Sequence, residues 1–340
     1  MTAAIDRLVM SAQWPETAVL APCPTQTSMA DAPLTSYARL QVRTVGRIRG
    51  HLWEQTELAV AARGGVLVNL GNTGPLIAGR RQVVVIHDAG VFDTPASYSA
   101  PFRVWYRTLQ RGLVAAGACI ATVSRFSRGR IANRLGLDPT QIAVTYEGAD
   151  HVLRAAADPG TLARHDLRPG RFALIVGIRG THKNLDGLAG LAAILQKRGV
   201  ILAVVGGPRS GIFAAPALHA ASIGRTLGRV TDAELRSLYE SAACLLFPSQ
   251  YEGFGLPPIE ALACGCPVIA AQGGAVEEIC GDGALYFDPR AGRSLTDATQ
   301  MLFDDERLAA TLRVRGIARA AEFTWKAAAQ ELGRVVQRIR

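Results

Sequence analysis

Two glutamates bracket a glycine loop in Phe247-Pro-Ser-Gln-Tyr-Glu-Gly-Phe-Gly-Leu-Pro-Pro-Ile-Glu-Ala-Leu-Ala-Cys-Gly265. An apolar run precedes the loop and a helical pattern follows it. Gly253 and Gly255 allow the backbone to approach a ligand closely. Pro257 or Pro258 suits a first helical turn, where a missing N–H costs nothing. The free amides from Gly253, Phe254, Gly255 and Leu256 to Ile259, with the helix dipole, then form an anion site. Glu252 stands before the loop, and Glu260 falls in the expected first helical turn. A phosphate on the amides leaves both carboxylates to accept hydrogen bonds from sugar hydroxyls. Taken singly, Glu260 reads as a dipole-favoured acid and Glu252 as a loop acid. The segment as a whole favours a binding site.

Three further segments carry candidate chemistry. Val176-Gly-Ile-Arg-Gly-Thr-His-Lys-Asn-Leu-Asp186 follows another apolar run. It offers Gly177, Arg179, His182 and Lys183, the last being one of three lysines, with Lys197 and Lys326. A lysine there can neutralise a diphosphate as a point charge. As a mere surface cation it would be disfavoured at a helix start. Val83-Val-Val-Ile-His-Asp-Ala-Gly90 sets His87 and Asp88 at a strand's carboxyl end, where α/β sheets present ligand-binding residues. Such a pair is structural at least as often as functional. Gly206-Gly207-Pro208 is a glycine turn, and a plain turn is an equal reading. His51, His151, His165 and His219 read as surface or packing residues. Six cysteines show no zinc spacing and are expected to be reduced, with Cys119 and Cys244 as small core residues. Neither Gly-x-Gly-x-x-Gly nor a P-loop is present, nor a Ser-His-Asp spacing.

The stretch Glu252-Gly-Phe-Gly-Leu-Pro-Pro-Ile-Glu260 resembles the E-x7-E signature of glycosyltransferase family 4, retaining nucleotide-sugar transferases of GT-B fold. The likeness continues through Cys264-Gly-Cys-Pro-Val-Ile-Ala270, Val276-Glu-Glu-Ile279, Gly281-Asp-Gly-Ala-Leu-Tyr-Phe-Asp-Pro289 and Phe323-Thr-Trp325. The subgroup it resembles is the mannosyl- and rhamnosyltransferase-like group of bacterial polysaccharide assembly. By this resemblance, Glu252 binds sugar hydroxyls, Glu260 the ribose, and Lys183 with the amides of Gly253–Leu256 the diphosphate. Arg179 is a looser match, His182 stands where the family usually has arginine, and Gly207 lies where a nucleotide base approaches. His87 is implied to hydrogen-bond the donor sugar, with Asp88 orienting it or the loop. Thr122-Val-Ser-Arg-Phe-Ser127 resembles a "V-S-x-x-S" strand end, with Ser124 capping a helix and lining the cleft. Tyr146-Glu-Gly-Ala-Asp150 resembles an "N-G-V-D" turn, with Glu147 in place of asparagine. Glu252, His87 and Lys183 are the implied catalytic set. No cofactor and no metal is implied beyond the nucleotide diphosphate sugar donor. The implied acceptor is a sugar or lipid-linked sugar.

Positioning these residues requires two α/β units. In the first half, Val66–Leu70, Val83–Ile86, Cys119–Val123 and Ile142–Thr145 read as strands, and Ser99–Ala116 and Phe126–Leu135 as helices. In the second, Phe172–Val176, Ile201–Val205, Cys244–Phe247, Val268–Ala270 and Ala284–Phe287 read as strands. Asn184–Gln196, Thr231–Glu240 and Pro257–Cys264 read as helices, with a capping box at Thr231. Residues from Leu295 onward are nearly all helical, with Thr324 as a cap. The Pro- and Gly-bearing stretch Ala155–Gly170 reads as the connection between domains. The expected domains are 1–155 (acceptor side), 156–323 (nucleotide-sugar binding) and a C-terminal helix 324–340 packing back on the first. The expected fold is α/β of GT-B type, two Rossmann-like domains facing each other across a cleft. No glycine loop precedes Gly46, so a first βα unit is expected to be missing or divergent.

The 340 residues suit two domains, and the composition excludes a disordered, collagen-like or coiled-coil chain. The 37 basic residues against 28 acidic give a net charge of +9, which favours an anionic partner. Between Asp93 and Asp138 there is no acid, while Arg103, Arg107 and Arg111 recur every four residues beside Phe102, Trp105 and Tyr106. That face is the candidate contact for an anionic membrane surface; a solvated face is an equal reading. Nucleic acid is not an expected partner, since the aromatic-basic motifs are absent. No leader pattern or spanning run is seen, so a cytoplasmic enzyme, peripheral on the inner membrane, is expected. Two rivals keep the fold and change the function: a non-catalytic homologue that binds a sugar nucleotide or partner subunit, and a sugar-nucleotide epimerase.

Overall fold

Runs of valine, isoleucine and leucine with no polar alternation build sheets covered on both faces. The computed structural model describes residues 18–22, 41–177, 188–206, 224–291 and 294–339. The chain forms two units. Unit 1 comprises Met1–Ala89, Val104–Gly148 and Thr324–Arg340; unit 2 comprises Gly90–Arg103 and Ala149–Phe323.

In unit 1, β1 (Ala18–Pro22) and β2 (Gln41–Val45) form a parallel pair of their own. The main sheet holds β3 (Leu67–Asn69), β4 (Gln82–Val85), β5 (Cys119–Thr122) and β6 (Ala143–Val144), parallel and in that order. Strands thus do occur where a first unit looked missing or divergent, but among the described residues they pair only with each other. Between β2 and β3 runs α1 (residues 50–61), whose middle, Glu54–Leu58, is a π-turn. Its pattern was not legible as a helix in the sequence. α2 (Gly90–Asp93), a single turn, is part of unit 2, and α3 (Ala100–Ala115) is a long helix whose residues from Val104 onward belong to unit 1. α4 (Arg125–Leu135) is capped by Ser124, whose Oγ accepts from Ser127 N–H at 3.0 Å, and it ends on left-handed Gly136.

Unit 2 opens with α4's successor α5 (Thr161–Arg164) and a six-stranded parallel sheet in the order β12-β11-β10-β7-β8-β9. These strands are β7 (Phe172–Val176), β8 (Ile201–Val205), β9 (Arg225–Gly228), β10 (Cys244–Phe247), β11 (Val268–Ala271) and β12 (Ala284–Phe287). Every residue of β10 and β11 is buried. β9 escaped the sequence reading because it is a half-exposed edge strand, Arg-Thr-Leu-Gly, with no apolar run. Read from β9, the order is that of a dinucleotide-binding sheet, and the direction reverses between β7 and β10. Ligands bind outside the carboxyl ends at such a switch point. The loops after β7 and β10 are the two that flank it.

The helices of unit 2 are α6 (Leu188–Lys197), α7 (Asp232–Ser241), α8 (Leu256–Ala263), α9 (Ala275–Cys280), α10 (Ser294–Asp304) and α11 (Glu306–Ala320). Leu188, Leu191 and Leu195 of α6 join Ile175, Val204, Leu246 and Leu302 in one core. Thr231 caps α7 in the expected capping box with Glu234. The stretch 155–170 is not a free connection. Arg236 Nη1 donates to the carbonyls of Leu153 and Ala155, and Ser237 Oγ to that of Asp158, so it lies against α7. Arg164 adds ion pairs to Asp158 and Glu234.

α12 (Trp325–Gln337), capped by Thr324, belongs to unit 1. A Cβ on Gly148 would lie 2.2 Å from Trp325 N, so only glycine lets the start of α12 pass there.

Candidate functional site

The loop after β10 is built from buried parts. Ser249 is 2% exposed, and its Oγ donates to Glu252 Oε1 at 2.5 Å. Tyr251 Oη donates to Asp93 Oδ2 at 3.1 Å. Phe254 is buried and meets Phe323 edge-on, ring centroids 5.8 Å apart, while the Arg319 guanidinium lies 4.9 Å from the Phe323 centroid. The apolar anchor is therefore the one residue between the two glycines. Gly255 takes φ 101°, and from it α8 starts at Leu256 with prolines in its first turn. Its left-handed backbone turns the chain into the helix. The result is a fixed loop running into a helix N-terminus at which Leu256 carries an amide, Pro257 and Pro258 carry none, and Ile259 N–H, expected to be free, donates to the Gly255 carbonyl at 3.3 Å.

Glu260 lies one turn further than the sequence suggested, because α8 opens at Leu256 and its first turn holds no acid. It is 7% exposed. Both oxygens are held: His151 Nε2 lies 2.8 Å from Oε1, and Tyr239 Oη donates to Oε2 at 3.0 Å. A buried carboxylate needs such partners, since desolvation without them costs several kcal/mol, on the order of a whole buried ion pair. Burial, together with the Glu260 charge, pushes the Tyr239 phenol well above its ordinary range, so it remains a donor. The sequence suggests a surface or packing residue at His151; the structure sets its ring against the Glu260 carboxylate. It follows directly on the turn Tyr146–Asp150, and that adjacency was the signal available. Tyr239 had no signal beyond its place on α7.

In unit 1, His87 follows β4 as expected. Its N–H donates to Asn72 Oδ1 at 2.7 Å, and Asn72 holds a left-handed φ of 69°. Its Nε2 lies 2.8 Å from the Leu70 carbonyl oxygen and its Nδ1 3.2 Å from Glu147 Oε1. Both ring nitrogens thus face protein acceptors. Glu147, the departure from the resembling turn, is the residue that meets the histidine. The loop between β3 and β4 is tied to the π-turn of α1. Thr73 Oγ1 donates to Glu54 Oε2 at 2.6 Å, and Gln55 Nε2 to the Gly74 carbonyl at 2.8 Å. A π-turn widens the helix and sets these two consecutive side chains on one loop. Asp88 follows His87 and is half-buried; Ser124 is fully buried at its cap.

Of the residues after β7, Gly177 is described: it takes φ 79°, and its N–H donates to the Val205 carbonyl at 3.0 Å. Arg179, His182, Lys183 and Gly207 lie outside the described residues. The cysteines are free thiols among the described residues. Burial pushes Cys244, Cys264 and Cys280 up to about 12, and raises Cys119 and Cys266. None is poised as a nucleophile.

The pattern of the family described as Glycosyl transferases group 1 matches residues 165–319, which lie within unit 2. The O-antigen chain mannosyltransferase B of Escherichia coli is 30% identical over 258 residues, 72% of this chain and 67% of that protein. The O-antigen chain mannosyltransferase RfbU of Salmonella typhimurium is 27% identical over 267 residues, 74% of this chain and 70% of that protein. Among solved structures, Anabaena Alr3699/HepE in complex with UDP-glucose superposes with a TM-score of 0.73 at 16% identity, covering 99% of this chain and 95% of that one. The chain belongs to the glycosyl transferases group 1 family, and its two Rossmann-like units are those of the GT-B fold. It is a glycosyltransferase. No helix among the described residues is long and apolar enough to cross a membrane.

Proposed function

We propose that the chain moves a hexosyl group, mannosyl by its likeness to the O-antigen enzymes, from a nucleotide diphosphate sugar to an acceptor hydroxyl with retention. The observation that carries this reading is the fixed loop of unit 2, with Glu252 before it and Glu260 after it, beside the β7/β10 switch point. Lys183 and the amides of Gly253–Leu256 hold the diphosphate, and Arg179 and Gly177 help to bind the donor. Glu260 accepts from the ribose and Glu252 from sugar hydroxyls. His87 takes part in the transfer at the donor sugar. Catalysis is electrostatic: fixed donors stabilise the departing diphosphate while the sugar gains oxocarbenium character. The leaving phosphate accepts the proton of the incoming hydroxyl on the same face. No metal is needed, since Lys183 and the helix N-terminus supply the charge.

The acceptor is a sugar or lipid-linked sugar in bacterial polysaccharide assembly, met at the cytoplasmic face of an anionic inner membrane. On α3, Val104 and Trp105 are exposed, as is Arg111, which supports a membrane-facing side. Equal vesicle binding by an Arg103, Arg107 and Arg111 triple substitution would remove that part.

A panel of nucleotide diphosphate sugars, assayed for hydrolysis and for transfer into a lipid extract, tests the reading. Turnover persists in EDTA, and the anomeric proton coupling of the product reports retention. Glu252→Ala loses turnover and keeps donor binding. Unchanged turnover in both Glu252→Ala and Lys183→Ala overturns the site. Donor binding with no turnover under any condition favours the non-catalytic homologue.

A further inference from the structure

The ring of His87 is held at both nitrogens by groups that only accept. The Leu70 carbonyl oxygen is 2.8 Å from Nε2, and Glu147 Oε1 is 3.2 Å from Nδ1. A neutral imidazole has one N–H, whereas an ionised carboxylate and a carbonyl have none to offer. Both contacts are hydrogen bonds at once only when the ring carries two protons. The backbone is fixed as well, through the bond from His87 N–H to Asn72 Oδ1.

Glu147 is 8% exposed, so its carboxylate cannot exchange His87 for water without a desolvation cost. It stands in the turn after β6, where the resembling motif has asparagine, a side chain without charge. Among the described residues, the charged groups acting on the ring are Glu147 and Asp88. Burial works against the imidazolium. The Glu147 hydrogen bond and charge, the Leu70 carbonyl and the Asp88 charge outweigh it, and the ring titrates above its ordinary value.

We propose that Glu147 is a positioning residue that keeps His87 a fixed imidazolium, so that His87 enters the transfer reaction as a cation and not as a neutral hydrogen-bonding ring. This rests on His87 taking part in transfer. With both N–H groups given to the protein, the ring acts on a substrate through charge. That suits a phosphate-bearing ligand in which negative charge grows during reaction.

Glu147→Gln separates charge from shape. The glutamine amide can donate to an unprotonated Nδ1, while Nε2–H still donates to Leu70, so a neutral ring is fully satisfied. Nitrogen-15 NMR of the full chain, with the His87 signals assigned by their loss in His87→Gln, reads the charge state directly. The ring of the unsubstituted chain stays protonated above the ordinary imidazole value, and in Glu147→Gln its titration falls by about one pH unit or more. The alkaline limb of the transfer rate falls with it, and the variant recovers rate as pH is lowered, which a merely structural role would not produce. Equal His87 titration in the two chains overturns the proposal. A shifted titration with an unmoved rate profile overturns the participation of His87 in transfer and leaves its charge state standing.

Discussion

His151 Nε2 lies 2.8 Å from Glu260 Oε1, and the two residues are 109 positions apart in the chain. The histidine stands at the start of unit 2 and the glutamate one turn into α8, so the pair ties the entry of the unit to the helix that follows the loop. With Tyr239 on the other oxygen, the carboxylate has a single orientation.

Removing His151 frees one of those oxygens. A hydrogen bond to a charged group contributes about 1.5–3 kcal/mol, so His151→Ala is expected to weaken nucleoside diphosphate binding about tenfold or more. Calorimetric titration measures it. Unchanged affinity would mean that Glu260 does not depend on the pair.

Gly148→Ala is expected to destabilise unit 1. The added Cβ would meet the Trp325 backbone at 2.2 Å and cannot be relieved by a side-chain rotation. Overpacking against backbone costs about 1–3 kcal/mol or more. Urea unfolding followed by tryptophan fluorescence should show an earlier midpoint. An unaltered midpoint would show that the start of α12 can shift freely.

The elements that carry this fold were legible where burial is two-sided. Phe172–Val176, Ile201–Val205, Cys244–Phe247 and Ala284–Phe287 are strands with the bounds that their apolar runs suggest. The caps at Ser124, Thr231 and Thr324 were legible too, because a hydroxyl before a helical pattern has one common use. The edge strand β9 and helix α1 were not, since one lacks an apolar run and the other has its period broken by the π-turn. At the site, residue types in the loop after β10 announced themselves by spacing. The pairings of His151, Tyr239 and Glu147 did not, because each acts on a residue far away in sequence, and the turn that holds Glu147 and precedes His151 does not say what either side chain meets.

The thiols give a prediction that is independent of function. Cys264 is half-buried, yet burial, with the Glu240 charge, pushes it up to about 12, and Cys244 and Cys280 rise as far by burial alone. The thiolate is the nucleophile. Iodoacetamide at pH 8 should therefore leave all three unmodified in the native chain and modify them after denaturation, as read by peptide mass spectrometry. Rapid native labelling of Cys264 would contradict the electrostatics of its site.

Ser249 offers the sharpest separation of positioning from binding in the loop. Its buried Oγ donates to Glu252 Oε1, and the same hydroxyl lies 3.4 Å from the Tyr251 carbonyl oxygen, so it sets the carboxylate's place. In Ser249→Ala the Phe254 anchor on Phe323 is expected to persist, and the diphosphate should bind as before. Glu252 loses the Ser249 hydroxyl and its carboxylate can shift relative to a sugar hydroxyl. If Glu252 holds the sugar, kcat should fall about tenfold, the effect of roughly 1.4 kcal/mol lost only in the transition state, with KM for the donor nearly constant. Ser249→Thr keeps the hydroxyl and should restore part of the rate. A rise in KM with kcat unchanged would instead place Glu252 in ground-state binding and move the rate-determining charge to the diphosphate side of the loop.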